Sequence, residues 1–272
     1  MFGGRSNKTL IGATFTTLAL IHVVTVHNLR KANRSPIWGL LQSMMQAAMM
    51  ILFFVGMYSF MKQRSSPIRG DFLMFLMSGV ALFMIHVQTV GAMNAGSSLS
   101  AMNKHDPINP FIMICASALS ALYTQTLSIA VMLFLYDTLI GEVKIDQPVP
   151  AMGMFMLAWF SGICVGMVFM AAKPWWPKGV NVISMVYRRG SMIASGKMFA
   201  ANSLPAMVLP MFSWHPLFHI IDQNRGYVFI NYNPHNSNLT YPVALSLSLL
   251  AIGLMAEFVT RRSESLSWTA GK

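Results

Sequence analysis

The chain has 272 residues, 55% of them hydrophobic and only 10% charged, where a soluble domain carries about 25% charged residues. Its 19 Lys and Arg against 8 Asp and Glu give a net charge of +11, but the cations are spaced between apolar segments rather than gathered in one patch, which argues against a nucleic-acid partner and for charge that sets membrane topology. Cys115 and Cys164 both fall inside apolar segments, so neither a disulfide framework nor a cysteine metal site is expected.

Near the N-terminus no short apolar stretch is followed by a small-residue cleavage site, and no signal peptide is read. Residues 9–29 are long enough to cross a bilayer, yet they contain five Thr, two His and an Asn. Followed by "LRKANR", they are expected to form a helix lying in the cytoplasmic interface, so that residues 1–35 make a cytoplasmic N-terminal region. Apolar runs long enough to span a ~30 Å hydrocarbon core then follow at 37–60, 71–93, 110–136, 150–172, from Val180 onward, and at 241–259. Pro36, Gly70, Pro110 and Pro150 punctuate them. Helices are expected, because a barrel would show alternating ten-residue strands. Residues 202–229 are apolar but hold Pro205, Pro210 and Pro216. They disfavour one continuous helix, so two short re-entrant helices hinged near Pro210 are predicted, with the re-entrant segment at 202–222. The expected architecture is an all-α membrane protein: six transmembrane helices in a domain of residues 36–260, an interfacial helix before them, a re-entrant hairpin before the last span, and a cytoplasmic tail at 261–272.

Orientation follows from the basic residues. With the N-terminus inside, the cytoplasmic segments carry Arg5, Lys8, Arg30, Lys31, Arg34, Lys104, Lys173, Lys178, Arg261, Arg262 and Lys272. The outer segments carry Lys62, Arg64, Arg69, Lys144, Lys197 and Arg225. Both termini are therefore expected inside, which requires an even number of spans.

Arg188, Arg189 and Lys197 sit within an apolar stretch, where a lipid-facing charge costs at least ~2.5 kcal/mol. Adjacent helical residues point ~100° apart, so the two arginines cannot share a direction. Arg188 and Arg189, with Lys197 and Tyr187, are expected to line a wet conduit, the alternative for the arginine pair being an anchor at the membrane surface. Trp175 and Trp176 are conduit candidates, since sugar rings stack on aromatics, or members of the aromatic belt at headgroup level. Phe199, Phe212, Trp214, His215, Phe218 and His219 cluster in the broken segment and are expected to form an outer gate. His215 and His219, four residues apart, would share a helix face, but no third ligand is placed beyond Asp222, and no metal is expected. His22, His27 and His86 read as isolated structural residues. The acids Asp71, Asp106, Asp137, Glu142, Asp146, Asp222, Glu257 and Glu264 are scattered singly, which leaves a membrane-embedded transferase without an acid–base pair.

Four stretches carry a resemblance. "LRKANRSPIWGLLQSMMQ" resembles a basic pre-span segment and a first helix with Gly and Trp. "RGDFLMFLMSGVALF" resembles "GDF-x-x-FL-x-x-G", Ser195 to Pro205 resembles "SG-x-x-F…LP", and "HPLFHIIDQNR" at 215–225 resembles "NPL-x-H-x-x-E-x-x-R". Together they span about residues 25–260 and are similar to the permease subunit of type-2 ABC exporters, in the branch that exports capsular polysaccharide or lipopolysaccharide O-antigen. Here His215 replaces the usual Asn, Asp222 replaces Glu, and Lys197 stands where the family is apolar. The resemblance implies a homodimer in the bacterial inner membrane, with the conduit between two copies for a lipid-linked polymer, acidic ones included. It implies contacts with membrane lipids and with a periplasmic export partner. It also implies a separate ATPase subunit, docked at Asn103, Lys104, His105 and Asp106. No G-x-x-x-x-G-K-[ST] loop occurs; "SMIASGKM" at 191–198 fails at Ser191 and Met198, so the chain itself is expected to be neither an ATPase nor an enzyme and to hold no cofactor. A non-catalytic structural subunit of a larger membrane assembly is the other reading.

Overall fold

The computed structural model describes residues 10–32, 36–60, 71–102 and 110–270. Nine α-helices account for most of these residues: α1 (Leu10–Ala32), α2 (Pro36–Phe60), α3 (Phe72–Met102), α4 (Pro110–Leu139), α5 (Pro148–Ala172), α6 (Pro177–Ala194), α7 (Pro210–Ser213), α8 (Pro216–Val228) and α9 (Thr240–Ala270), with a 3₁₀ turn at Ala201–Ser203. No strand occurs among the described residues. Proline sets the first turn of α5, α6, α7 and α8. It is tolerated there because the first helical N–H groups have no intrahelical acceptor to lose.

Among the described residues five helices are long and apolar enough to cross a membrane: Ile37–Met57, Phe72–Gly96, Phe111–Leu139, Pro148–Ala172 and Thr240–Arg262. The sequence reading counted a sixth from Val180. In the structure α6 ends at Ala194, and the chain turns at Gly196, whose φ of +66° is a left-handed conformation that disfavours a side chain. The helix is 18 residues long and carries Asn181, Arg188 and Arg189, which keeps it out of the apolar set. The broken segment also differs in detail. α7 is a single turn starting at Pro210, the hinge lies at Trp214–His215, and α8 runs on to Val228, beyond the expected end at 222. α1 lies against α4, with Ile21 buried and Phe15, Leu18 and Val23 exposed.

Within the chain 78% of the α3 span is buried, against 17% of α9, so α3 is the central helix and α9 faces outward. α3 and α5 run in the same direction and meet through Gly162 and Gly166. A Cβ added at Gly162 would lie 2.8 Å from the His86 carbonyl oxygen, and one at Gly166 would lie 2.6 Å from Met93 Cβ. This small-xxx-small spacing allows the close backbone approach that holds helices together in lipid, where apolar burial alone gives little net attraction between them. α9 also runs parallel to α5: Gly253 abuts Met167, and Thr260 Oγ1 donates to the Ala171 carbonyl at 3.1 Å. α4 runs opposite to α3, with Tyr136 donating to Asp71 at one end and Ser117 meeting Gly96 at the other. α2 is likewise antiparallel to α3, and Gln88 donates to Gln46 across 2.7 Å.

Candidate functional site

The functional candidates converge where α6, the turn after it and α8 meet α3 and α5. Along α6 the polar residues Asn181, Ser184, Arg188, Ser191 and Ser195 fall three and four apart and therefore share a face. That face points inward. Asn94 Nδ2 donates to Asn181 Oδ1 at 3.2 Å, Ser184, Ser191 and Ser195 are buried, and an Arg188 Nη1 lies 3.0 Å from where a Cβ of Gly91 would stand. Arg188 is half-buried in that notch, with its Nε donating to the Ser184 carbonyl at 3.4 Å. Val182, Ile183, Met185, Val186 and Ile193 are exposed on the outer side, as is Arg189. The two arginines thus diverge as helix geometry requires, but Arg188 faces its own chain and only Arg189 faces away from it.

A hydrogen-bonded chain of rings occupies the junction. The Leu217 N–H donates to His215 Nδ1 at 3.2 Å, so that nitrogen carries no proton and Nε2–H donates to Ser191 Oγ at 3.0 Å. Ser161 Oγ donates to the Ala158 carbonyl at 2.8 Å and so accepts from His86 Nδ1–H, also at 2.8 Å. His86 Nε2 is then the acceptor of the Tyr187 hydroxyl at 2.9 Å. The Tyr187 ring stacks on His215 at 5.9 Å between centroids, and His86 meets His215 edge-on at 6.4 Å. Both imidazoles are neutral in this pattern, and α3, α5, α6 and α8 are joined through it. His86, read from sequence as isolated, is fully buried at its centre. Its partners lie 75 and 101 positions away in sequence; the one local signal was a polar ring inside an apolar span.

Toward the N-terminal end of α3, a second constellation fixes the turn. Arg225 donates through Nη1 to the carbonyls of Gly196 at 3.2 Å and Phe199 at 2.5 Å, and through Nη2 to that of Lys197 at 2.6 Å, while its guanidinium lies 4.0 Å over the Phe75 ring. Asp222 accepts from Ser237 Oγ at 2.6 Å, from Ala201 N–H at 3.3 Å and from the Tyr232 hydroxyl, tying the 229–239 loop to α8. Burial, then the neighbouring Asp222 carboxylate, push the Tyr232 phenol above its ordinary value. Lys197, expected near the outer surface, is instead fully buried: its Nζ stands 3.3 Å above the Phe83 ring and 3.2 Å from Met50 Sδ. Among the described residues the ion pairs are Lys144–Glu142 and Arg261–Glu257, so Lys197 rests on aromatic faces without a carboxylate.

Of the six expected gate residues, four form one run of ring contacts, while Trp214 and His215 form a separate pair beside the Tyr187–His86 junction. Phe199 and Phe212 meet edge-on at 4.9 Å, Phe212 stacks on Phe218 at 6.4 Å, Phe218 touches His219 at 5.6 Å, and Trp214 touches His215 at 5.3 Å. The two histidines do not converge on one point: His219 Nε2 faces the Ser213 carbonyl at 2.7 Å, and its Nδ1 accepts from Asn238 N–H. Among the described residues no group of three His, Cys, Asp or Glu could hold a metal ion. Trp175 and Trp176 lie apart from this cluster, exposed at the other end of the bundle, where Trp175 Nε1 donates to Thr260 Oγ1 at 2.8 Å. Beside them Lys173 donates to the Asn94 carbonyl at 2.7 Å, and burial holds its ammonium pKa below the ordinary value. Asn103, Lys104, His105 and Asp106 lie outside the described residues.

No family model matches the chain, and no curated protein matches it.

Proposed function

We propose that this chain is the membrane subunit of a type-2 ABC exporter that moves a lipid-linked polysaccharide across the bacterial inner membrane. The observation that carries the reading is the interrupted passage between α5 and α9. These two helices run in the same direction, so Ala172 and Thr240 lie at opposite ends of the bundle. The segment between them must return the chain across the membrane, and it does so in pieces. α6 climbs along α3 from Asn94 to Gly79, the 3₁₀ turn reaches the 229–239 loop, the backbone dips to His86 at His215, and α8 rises again to meet Gln147. On this reading the passage is a sixth crossing with a re-entrant hairpin. Broken backbone at membrane depth is tolerated where protein buries it or where it borders a wet path.

Six crossings put both termini on one side, with α1 in the cytoplasmic interface. The charge asymmetry is larger than the sequence tally made it. Lys197 and Arg225 are buried and leave the outer count, so eleven basic residues face Lys62, Arg64, Arg69 and Lys144. On this reading the aromatic cluster from Phe199 to Phe218 stands at the outer end, where rings can meet sugar C–H faces. The exposed apolar face of α6, carrying Arg189, meets a second copy across the conduit. ATP is hydrolysed by a partner subunit docked on the loop at residues 103–106.

The deciding experiment is affinity purification of the tagged chain from its native membrane, with ATPase activity and cell-surface polysaccharide as readouts. A stoichiometric ABC ATPase, together with loss of surface polymer on deletion, supports the reading. A stable complex holding no ATPase would make the chain a structural subunit and overturn it.

A further inference from the structure

We propose that a cavity enclosed by α2, α3, α4, α5 and α8, away from the α6 junction, binds an uncharged lipid alcohol. The site stands apart from the export reading and does not depend on it. The cavity measures about 290 Å³ and is walled by apolar side chains, among them Ile51, Met77, Ile129, Met132, Phe155 and Val228. That is about twice the ~150 Å³ of a cavity that takes one benzene, which gives room for roughly a dozen carbon atoms. No Lys, Arg, His, Asp or Glu lines it.

The hydroxyls of Ser78, Thr126 and Ser128 and two carboxamides break the apolar lining. Gln125 of α4 and Asn224 of α8 each border the cavity with 3% of their surface exposed, and neither side chain makes a hydrogen bond among the described residues. A buried amide without a partner is strongly disfavoured, so a native site supplies one. Thr126, Ala130 and Met152 belong to the same wall and are exposed on the outer surface of the bundle, so the cavity borders the lipid. These features select the ligand. Its body must be hydrocarbon, because the walls are. Its head must both donate and accept, because the amides offer N–H and C=O groups. It must be uncharged, because no counter-ion is present to offset the desolvation of a phosphate or a carboxylate. A hydroxyl on a hydrocarbon chain or fused-ring body meets all three conditions.

The test uses the whole protein in lipid nanodiscs with a photoreactive dodecanol as probe. Saturable labelling of α4 and α5 peptides is expected, with unlabelled dodecanol competing about tenfold better than dodecane or dodecyl phosphate, the margin of one well-made buried hydrogen bond. Gln125→Met with Asn224→Ala removes both amides without narrowing the cavity much and should bring dodecanol and dodecane to parity. Ala151→Trp, which fills the cavity, should abolish saturable labelling. Labelling that never saturates overturns the proposal, as does equal competition by dodecane in the unsubstituted protein or an undiminished dodecanol preference in the double variant. A fusion tag that reports the melting of each variant separates misfolding from loss of binding.

Discussion

The Tyr187 hydroxyl donates to His86 Nε2 across 2.9 Å, and this bond joins α6 to the buried centre of α3. In a membrane the unfolded reference state also finds hydrogen-bond partners, so an interhelical bond contributes about 0.6 kcal/mol on average and up to ~1.7. Tyr187→Phe removes the donor and leaves the His86 acceptor bare. A double-mutant cycle of Tyr187→Phe with His86→Leu, read by thermal unfolding in detergent, should therefore show a coupling of about 0.6 to 1.7 kcal/mol. Strict additivity would mean that the bond does not hold the two helices together.

The α3–α5 contact makes a sharper prediction. Gly162 and Gly166 face the His86 carbonyl and Met93 with no room for a further carbon on either. The neighbour at Gly162 is the His86 carbonyl oxygen at 2.8 Å, and at Gly166 it is Met93 Cβ at 2.6 Å, an atom fixed to its own backbone, so neither can move aside without shifting a helix. Gly162→Ala and Gly166→Ala should each lower the melting temperature, and Val at either position should prevent recovery of folded protein. An unchanged melting temperature for Ala at either position would contradict the packing.

Much of the fold could be read from the chain itself, because five spans are set by local quantities: length, apolarity, and the prolines and glycines that bound them. The site was legible only in part. Phe199, Phe212, Trp214, His215, Phe218 and His219 are close in sequence, and their ring contacts follow from that. His86 and Tyr187 are 101 positions apart, and no periodicity announces a bond between them. Lys197 misled for a physical reason: a cation near the end of an apolar run normally reaches for water, whereas here the fold turns at Gly196 and offers it aromatic faces and sulfur instead.

The Asp222–Tyr232 contact should give the 229–239 loop an alkaline limit. The Tyr232 pKa is raised in the folded chain above its ordinary value of 10.0, so folding favours the neutral phenol. The stabilisation is complete below pH 10, the unfolded value, and is lost as pH rises through the folded pKa. Proteolysis within the 229–239 loop should accelerate above pH 10, and Tyr232→Phe should flatten that dependence. An unchanged pH profile in the variant would remove Tyr232 from the latch.

Topology can be read by single cysteines placed at the exposed residues Lys144 and Lys178 in a chain with Cys115 and Cys164 replaced. A membrane-impermeant maleimide applied to intact spheroplasts should modify Lys144→Cys and spare Lys178→Cys until the membrane is opened. Modification of both from outside would break the six-crossing reading, since α5 separates the two positions.

If the chain is an exporter as proposed, Arg188 and Arg189 distinguish two routes for its cargo. A conduit between copies would present its charge on the surface of one chain, and Arg189 is the arginine exposed there, beside Val182, Val186 and Ile193. Arg188 is held against Gly91 inside the α3–α6 seam, where its side chain fills the notch left by the glycine. Arg189→Gln should accordingly reduce export of an acidic polymer by up to about fivefold with ATPase activity unchanged, since an exposed charge pair contributes at most ~1 kcal/mol. Arg188→Gln should instead lower the melting temperature and reduce export only in proportion to the folded protein that remains. Gly91→Val provides the control: it displaces the Arg188 guanidinium without removing the charge, and should reproduce the melting defect of Arg188→Gln. Should Arg188→Gln melt normally yet abolish export while Arg189→Gln exports at the full rate, the cargo would run along the seam within each chain, and the path between copies would be wrong.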